Sequence, residues 1–295
     1  MPAICRFGVS LLLATLLAGC SSTSFLYNRL DTFIAWELDD YVDLTPTQAD
    51  EMDRVIDDFM WWHRTQELPR YVALLDRVDR DLTQPVNADV LMDVEHSVES
   101  ALNRLRDRML TDMLAFGATL SPEQRLQFVE TLQAQHTELS EERLARSEQR
   151  YREDLEDQLV DSLSDYLGRL TPVQREQVTQ VVPAFHRLDG MWMEDRRVWL
   201  DRLHAIIDAN EPNWPDLTRE HALNFQATRS QGYREGFANN MQRLRELLVV
   251  VLNDRTERQD TKLRKKLARY RDSFAELAAD GVVPVAAITT TGLVE

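Results

Sequence analysis

Apolar residues recur at helical intervals almost from end to end of this chain. Across 87–116, Val90, Val94, Val98, Leu102, Leu105, Met109 and Met113 step by three or four, which predicts one long amphipathic helix. Across 178–206, Val178, Val181, Phe185, Leu188, Trp192, Trp199, Leu203 and Ile206 step by three, four or seven, with Pro183 placed to kink the run. A third stripe follows at Leu263, Leu267, Tyr270, Phe274 and Leu277. No sustained two-residue alternation occurs before Val282, so no sheet is expected. The pattern predicts an all-α fold, an elongated multi-helix bundle of long capped helices.

One short phrase punctuates these helices. Leu-Thr/Ser-Pro-x-Gln occurs at 44–48, 120–124 and 170–174, and Thr256 and Gln259 keep its spacing without the proline. Thr45, Ser121 and Thr171 suit the N-cap, where a side-chain oxygen accepts from an orphan backbone N–H. Pro46, Pro122 and Pro172 then occupy the first helical position, where the missing donor costs nothing. Gln48, Gln124 and Gln174 stand three residues after the cap and can reach back to complete a capping box. Gly117 and Gly168 precede two of the copies and suit left-handed helix ends. Successive starts are 76, 50 and 85 residues apart, too uneven for a solenoid of constant period.

The segment 140–158 is nearly all charge, with Leu144, Tyr151 and Leu155 as its main apolar points. An unbroken helix over 122–167 would run about 70 Å. Its charged middle either projects as an arm, lies down with one thin buried edge, or marks a break near Ser140.

The ends change the picture more than the composition does. Arg6 and the apolar run 7–17 read as a signal peptide covering 1–19, too short for the roughly 20 residues of a spanning helix. Leu17-Ala18-Gly19-Cys20 resembles the lipobox of bacterial lipoproteins, which implies cleavage before Cys20 and a covalent lipid on its sulfur. Ser21 in place of Asp implies transfer to the outer membrane. Cys20 would then be the mature chain's only cysteine, leaving no intrachain disulfide and no cysteine-based metal site. The formal net charge of −16 becomes one unit more negative once Arg6 is removed, which argues against nucleic-acid partners and against lying flat on anionic lipid. The expected organisation is one helical domain over 20–280, with a candidate sub-boundary at 168–171, followed by an apolar tail over 281–295. About 20 residues after Cys20, including an amphipathic helix over 27–41, would set its standoff from the membrane.

Following that lipobox, "YNRLDTFIAWELDDYVDLTPTQ" at 27–48 and "WWHRTQELPRYVALL" at 61–75 resemble a family of proteobacterial lipoproteins of unknown function. The resemblance implies a location and a helical architecture and brings no activity. Separately, Leu-Thr-x-x-Gln is similar to the motif of periplasmic stress chaperones of the Spy and CpxP type, which are much shorter chains.

Candidate chemistry concentrates at Trp62, His63, Arg64, Glu67, Arg70 and Tyr71, with Pro69 expected to break the helix between them. His63 and Glu67 are four apart and share a helical face. One reading is a recognition or acid–base pocket. The other has Trp61 or Trp62 filling the core while His63 and Arg64 satisfy backbone carbonyls. The six histidines are dispersed; Asp93-x-x-His96 and Asp201-x-x-His204 come nearest to a di-iron spelling, and no metal is expected. No cofactor is expected beyond the lipid on Cys20. Lys262, Arg264, Lys265, Lys266, Arg269 and Arg271 form the one basic run and include every lysine. The run would meet an anionic partner or neutralise the bundle's own acidic faces, 140–158 included. Gly232 and Gly236 would allow two backbones to approach closely. The expectation is a non-catalytic binding or envelope-maintenance module, anchored by lipid and facing the periplasm, with a protein partner or client in the envelope. A chaperone-like client binder, a self-associating scaffold and an enzyme working at His63 remain open beside it.

Overall fold

The computed structural model describes residues 27–281; the signal peptide, Cys20 and the tail beyond Gly281 lie outside the described residues. Every regular element within them is helical, and no strand occurs among them. In chain order they are α1 (Leu30–Asp39), α2 (Pro46–Trp62), a π turn (His63–Glu67), α3 (Leu68–Asp81), α4 (Ala88–Gly117) and α5 (Pro122–Leu144). There follow α6 (Glu148–Leu167), α7 (Pro172–Val181), a 3₁₀ turn (Val182–Ala184), α8 (Asp189–Ala209), α9 (Trp214–Leu223), α10 (Gln231–Asn253) and α11 (Glu257–Asp280).

The repeated phrase starts helices as expected. Thr45, Ser121 and Thr171 each accept from the N–H three residues on, and Gln48, Gln124 and Gln174 each return a side-chain bond to the cap's own N–H. The proline-free copy, Thr256 with Gln259, closes the same box on α11. Gly168 takes φ 84° and ψ −152°, a region that side chains exclude, at the corner between α6 and α7. Gly117 does not; it stays helical, and the Trp214 ring lies 3.1 Å from where a Cβ would stand.

Several expectations need correction. The run across 178–206 is two helices rather than one kinked helix. Pro183 sits in the 3₁₀ turn and the chain leaves helix over 185–188, so the apolar register restarts. In α8 the buried line is Met193, Leu200, Leu203 and Ile207, with Trp192 and Trp199 at its edge. In α4 the predicted stripe is only half correct. Leu105 is buried and Val90, Val94 and Met113 are half-buried, whereas Val98, Leu102 and Met109 are exposed, and Ala101 and Leu114 are buried outside the stripe. The charged segment breaks at 145–147 instead of near Ser140, and Ser147 caps α6. Its middle does not project. Tyr151 gathers the guanidinium groups of Arg146, Arg152 and Arg187 within 5.9 Å of its ring, and Arg187 pairs with Asp189 at the start of α8 at 2.9 Å. Gly236 approaches the side chain of Leu188 instead of another helix's backbone.

The packing is that of a duplicated unit with exchanged ends. Helices α1, α2, α3, α4 and α5 correspond in order to α6, α7, α8, α10 and α11. Thr45 precedes Thr171 by 126 residues and Ser121 precedes Thr256 by 135, the second interval being longer because α9 is inserted. Within each half the same neighbours meet: α1 on α2 as α6 on α7, α2 on α4 as α7 on α10, α3 on α4 as α8 on α10. The last helix of each half crosses over. Helix α5 lies along α8 and α11 lies along α3, the two most extensive pairings, while α4 touches α10 between the halves. One core gathers Leu163, Leu167, Val178, Val251 and Leu263; a second gathers Tyr27, Met52, Leu68, Phe116, Phe274 and Leu277.

Candidate functional site

The capping glutamines do more than start helices. Gln48 and Gln124 face one another, each amide nitrogen donating to the other's Oε1 at 3.0 and 2.9 Å. Each also donates to a carbonyl in the corner before the other helix, Thr119 and Asp43 respectively. Gln174 and Gln259 repeat the arrangement at 3.2 and 2.8 Å, and both are buried. The four boxes are therefore two clasps, one in each half, tying the N-terminus of one helix to that of another.

The cluster at 62–71 assembles around a widened turn. Pro69 has no N–H to give to the carbonyl four residues back, and its ring crowds that carbonyl. The chain answers by opening one turn to π geometry over His63–Glu67, with the Leu68 N–H reaching the His63 carbonyl, instead of breaking. Glu67 is fully buried there. Arg104 of α4 grips its carboxylate through Nε and Nη2 at 2.7 and 2.8 Å, and Arg70 adds a contact at 3.1 Å. A buried carboxylate requires such partners, because desolvation alone costs several kcal/mol. Tyr71 has its hydroxyl buried beside this group without a hydrogen bond. Burial first, and the Glu67 charge second, raise its pKa.

His63 takes a different partner. Its Nδ1 lies 2.7 Å from the hydroxyl of Tyr27, whose ring stacks on the imidazole at a centroid distance of 5.7 Å. Phe59 and Tyr71 cover its other sides. Burial pushes the His63 pKa down to about 4 against the opposing charge of Glu67, so the ring is neutral near pH 7. Burial also pushes the Tyr27 pKa up to about 12, with Arg64 opposing. Arg64 donates to Asn28 at 2.9 Å and lies over the Tyr27 ring. Neither His63 nor Arg64 serves a backbone carbonyl, contrary to the structural reading of the sequence. Trp62 packs half-buried against Phe59, and Trp61 is 59% exposed. Apart from the Tyr71 hydroxyl and Arg64 Nε, the cluster's polar groups are thus spent on one another and on seating Tyr27 and Asn28.

Of the expected site residues, the structure brings Trp62, His63, Arg64, Glu67, Arg70 and Tyr71 together and adds Tyr27, Asn28 and Arg104. Cys20 lies outside the described residues. Three of the six residues of the basic run pair with acids of neighbouring helices. Arg264 meets Asp79 at 2.9 Å, Lys266 meets Asp165, and Arg271 meets Asp76 at 3.6 Å. Its partners lie on α3 and at the end of α6; the acids of 148–154 pair with local arginines instead. An open groove of about 300 Å³ between α3 and α11 is lined by these paired groups. Among the described residues no three His, Cys, Asp or Glu side chains converge on a metal-sized site. Asp201 is held by Gln133 and Arg197, and His204 approaches Glu130 only to 4.0 Å.

A model of a protein family of unknown function (DUF6279) matches residues 40–234, from the end of α1 into α10. That span takes in the π-turn cluster and three of the four capping boxes. No curated protein and no solved structure matches the chain.

Proposed function

We propose that this chain, which belongs to that family of unknown function (DUF6279), is a non-catalytic binding module of the bacterial envelope, held to the outer membrane by lipid on Cys20 and facing the periplasm. The observation that carries the reading is Leu17-Ala18-Gly19-Cys20 directly behind an apolar run too short to span a bilayer. No described helix is long and apolar enough to cross a membrane. Two features support a non-catalytic role. His63 is enclosed by three aromatic rings, and its pKa lies well below the neutral range in which a general base works best. Its neighbours Glu67 and Arg64 are committed to Arg104 and Asn28. Replacing Cys20 by Ser and fractionating cells tests the anchor: the wild-type protein stays with the outer membrane and the variant is released. Equal distribution of the two would remove it.

A second reading, a chaperone-like client binder, has one observation in its favour. Val98, Leu102 and Met109 stand exposed along α4, and two of them are one helical turn apart on a common face. Under that reading the purified protein slows aggregation of an unfolded client, and Leu102→Asp with Met109→Asp abolishes the effect. A partner helix that needs no unfolding would be bound equally by both proteins.

A further inference from the structure

The place where the chain enters the bundle determines which end can face a bilayer. Tyr27 is 4% exposed, hydrogen-bonded to His63 and covered by Arg64, so it is fixed within the bundle. Only six residues lie between it and Cys20, seven steps along the chain with a reach of at most about 25 Å even when fully extended. The 30 residues of α4 alone span about 45 Å, so such a leash cannot let the molecule turn over freely at the surface. An anchor at Cys20 therefore brings one flank of the bundle to the headgroups, the flank where Tyr27 and Asn28 meet the π turn beside Arg104 near the middle of α4.

The same flank carries two further features. Trp61 is 59% exposed and neighbours Thr65, whose hydroxyl donates to the Trp61 carbonyl at 2.9 Å. Gly281, at the end of α11, abuts the Arg64 Cβ and the Thr65 methyl group. Residues 282–295, whose only charged side chain is the terminal glutamate, follow directly on Gly281. Phe33 adds a second exposed aromatic ring on α1, six residues beyond Tyr27. An exposed tryptophan within reach of a lipid leash has the amphipathic chemistry of the headgroup boundary, where an indole buries its ring and keeps its N–H wet. One acyl chain binds reversibly, and a second contact adds hold.

We infer that the Trp61 flank rests on the bilayer that holds the lipid anchor, with Trp61 seated at the headgroup boundary of zwitterionic lipid. The inference depends on acylation of Cys20. Zwitterionic headgroups fit because the chain's formal charge of −16 would be repelled by an anionic surface. Held this way, the bundle presents the crossed helices of both halves to the periplasm in a fixed orientation.

The test uses full-length acylated protein in phosphatidylcholine vesicles whose acyl chains carry bromine near the headgroup end. Wild type and Trp61→Phe are compared by tryptophan fluorescence; the position is exposed, so the variant leaves the core intact. The expected result is a quenched component present in wild type and missing from Trp61→Phe. Equal quenching of the two, with acylated Cys20 verified by mass on the same sample, overturns the placement of Trp61 and leaves the anchor standing. A quenching difference that emerges only in a chain ending at Gly281 assigns Trp61 to the segment 282–295 and likewise overturns it. An unacylated Cys20 removes both the anchor and the inference.

Discussion

At the scale of single residues, the cluster around the π turn behaves as a polar lock on the start of the bundle. His63 sets its acid sensitivity. Between about pH 4 and its ordinary value of 6.5, the unfolded chain binds a proton at this ring that the folded chain refuses. Stability from this group is therefore fully present above pH 6.5 and drains away as pH falls toward 4, by on the order of 3 kcal/mol. Denaturant unfolding measured across that window should show the decline, and His63→Asn should flatten most of it. His136 and His221, also held low by burial, keep a residual slope. Arg104 is the second test. Arg104→Ala leaves the Glu67 carboxylate buried with only Arg70 beside it, and should cost about 2–3 kcal/mol of unfolding free energy. Arg104→Lys should recover part of the loss, since one ammonium cannot reproduce the two-point grip. The membership of the cluster was legible because six of its residues lie within one stretch of ten. Arg104 was not, for it comes 37 residues later and only the burial of Glu67 requires it. Tyr27 sat in plain view in the "YNRLD" phrase, yet nothing local linked it to His63.

At the scale of elements, local rules read well and long-range ones did not. N-caps are decided within four residues, so all four boxes were visible as spacing. Their pairing into clasps joins residues 76 and 85 apart and has no local signal. The two clasps should differ in weight. Gln174→Ala strips a buried amide of its partner and should destabilise by about 2 kcal/mol. Gln48→Ala acts at a half-exposed clasp that water can enter, and should cost about 1 kcal/mol. Thermal or urea unfolding of the two variants compares them directly. The misread elements share one cause. Pro69 and Pro183 both remove a helical donor. The chain absorbed the first by widening a turn and the second by leaving helix altogether. Which response wins depends on packing around the corner, here the seating of Glu67 and Leu68, and a single sequence does not display that. The same holds for α4. Its apolar spacing correctly gave the helix, but not which part of the stripe other helices would cover.

At the scale of the whole molecule, the all-α class was plain from periodicity and the duplication was hidden. Read as successive intervals, the caps looked irregular. Read in alternation, as Thr45 with Thr171 and Ser121 with Thr256, they mark two copies of one arrangement with α9 inserted into the second. Because α5 lies on α8 and α11 on α3, each half lacks the most extensive partner of its last helix. A chain cut within 145–147 should consequently yield two fragments that are poorly folded apart and recover native helicity when mixed, as circular dichroism of the separate and combined fragments would show. Two fragments that each melt cooperatively alone would refute the exchange of ends. The polar lock and the exchanged helices together make one body whose entry point lies seven residues from Cys20. Everything proposed about its work depends on what that cysteine carries. The most direct measurement is the mass of the N-terminal peptide of the protein purified from envelope membranes. The account predicts a chain that begins at Cys20 and carries acyl groups there; a free thiol at Cys20, or a mature chain beginning elsewhere, would contradict it.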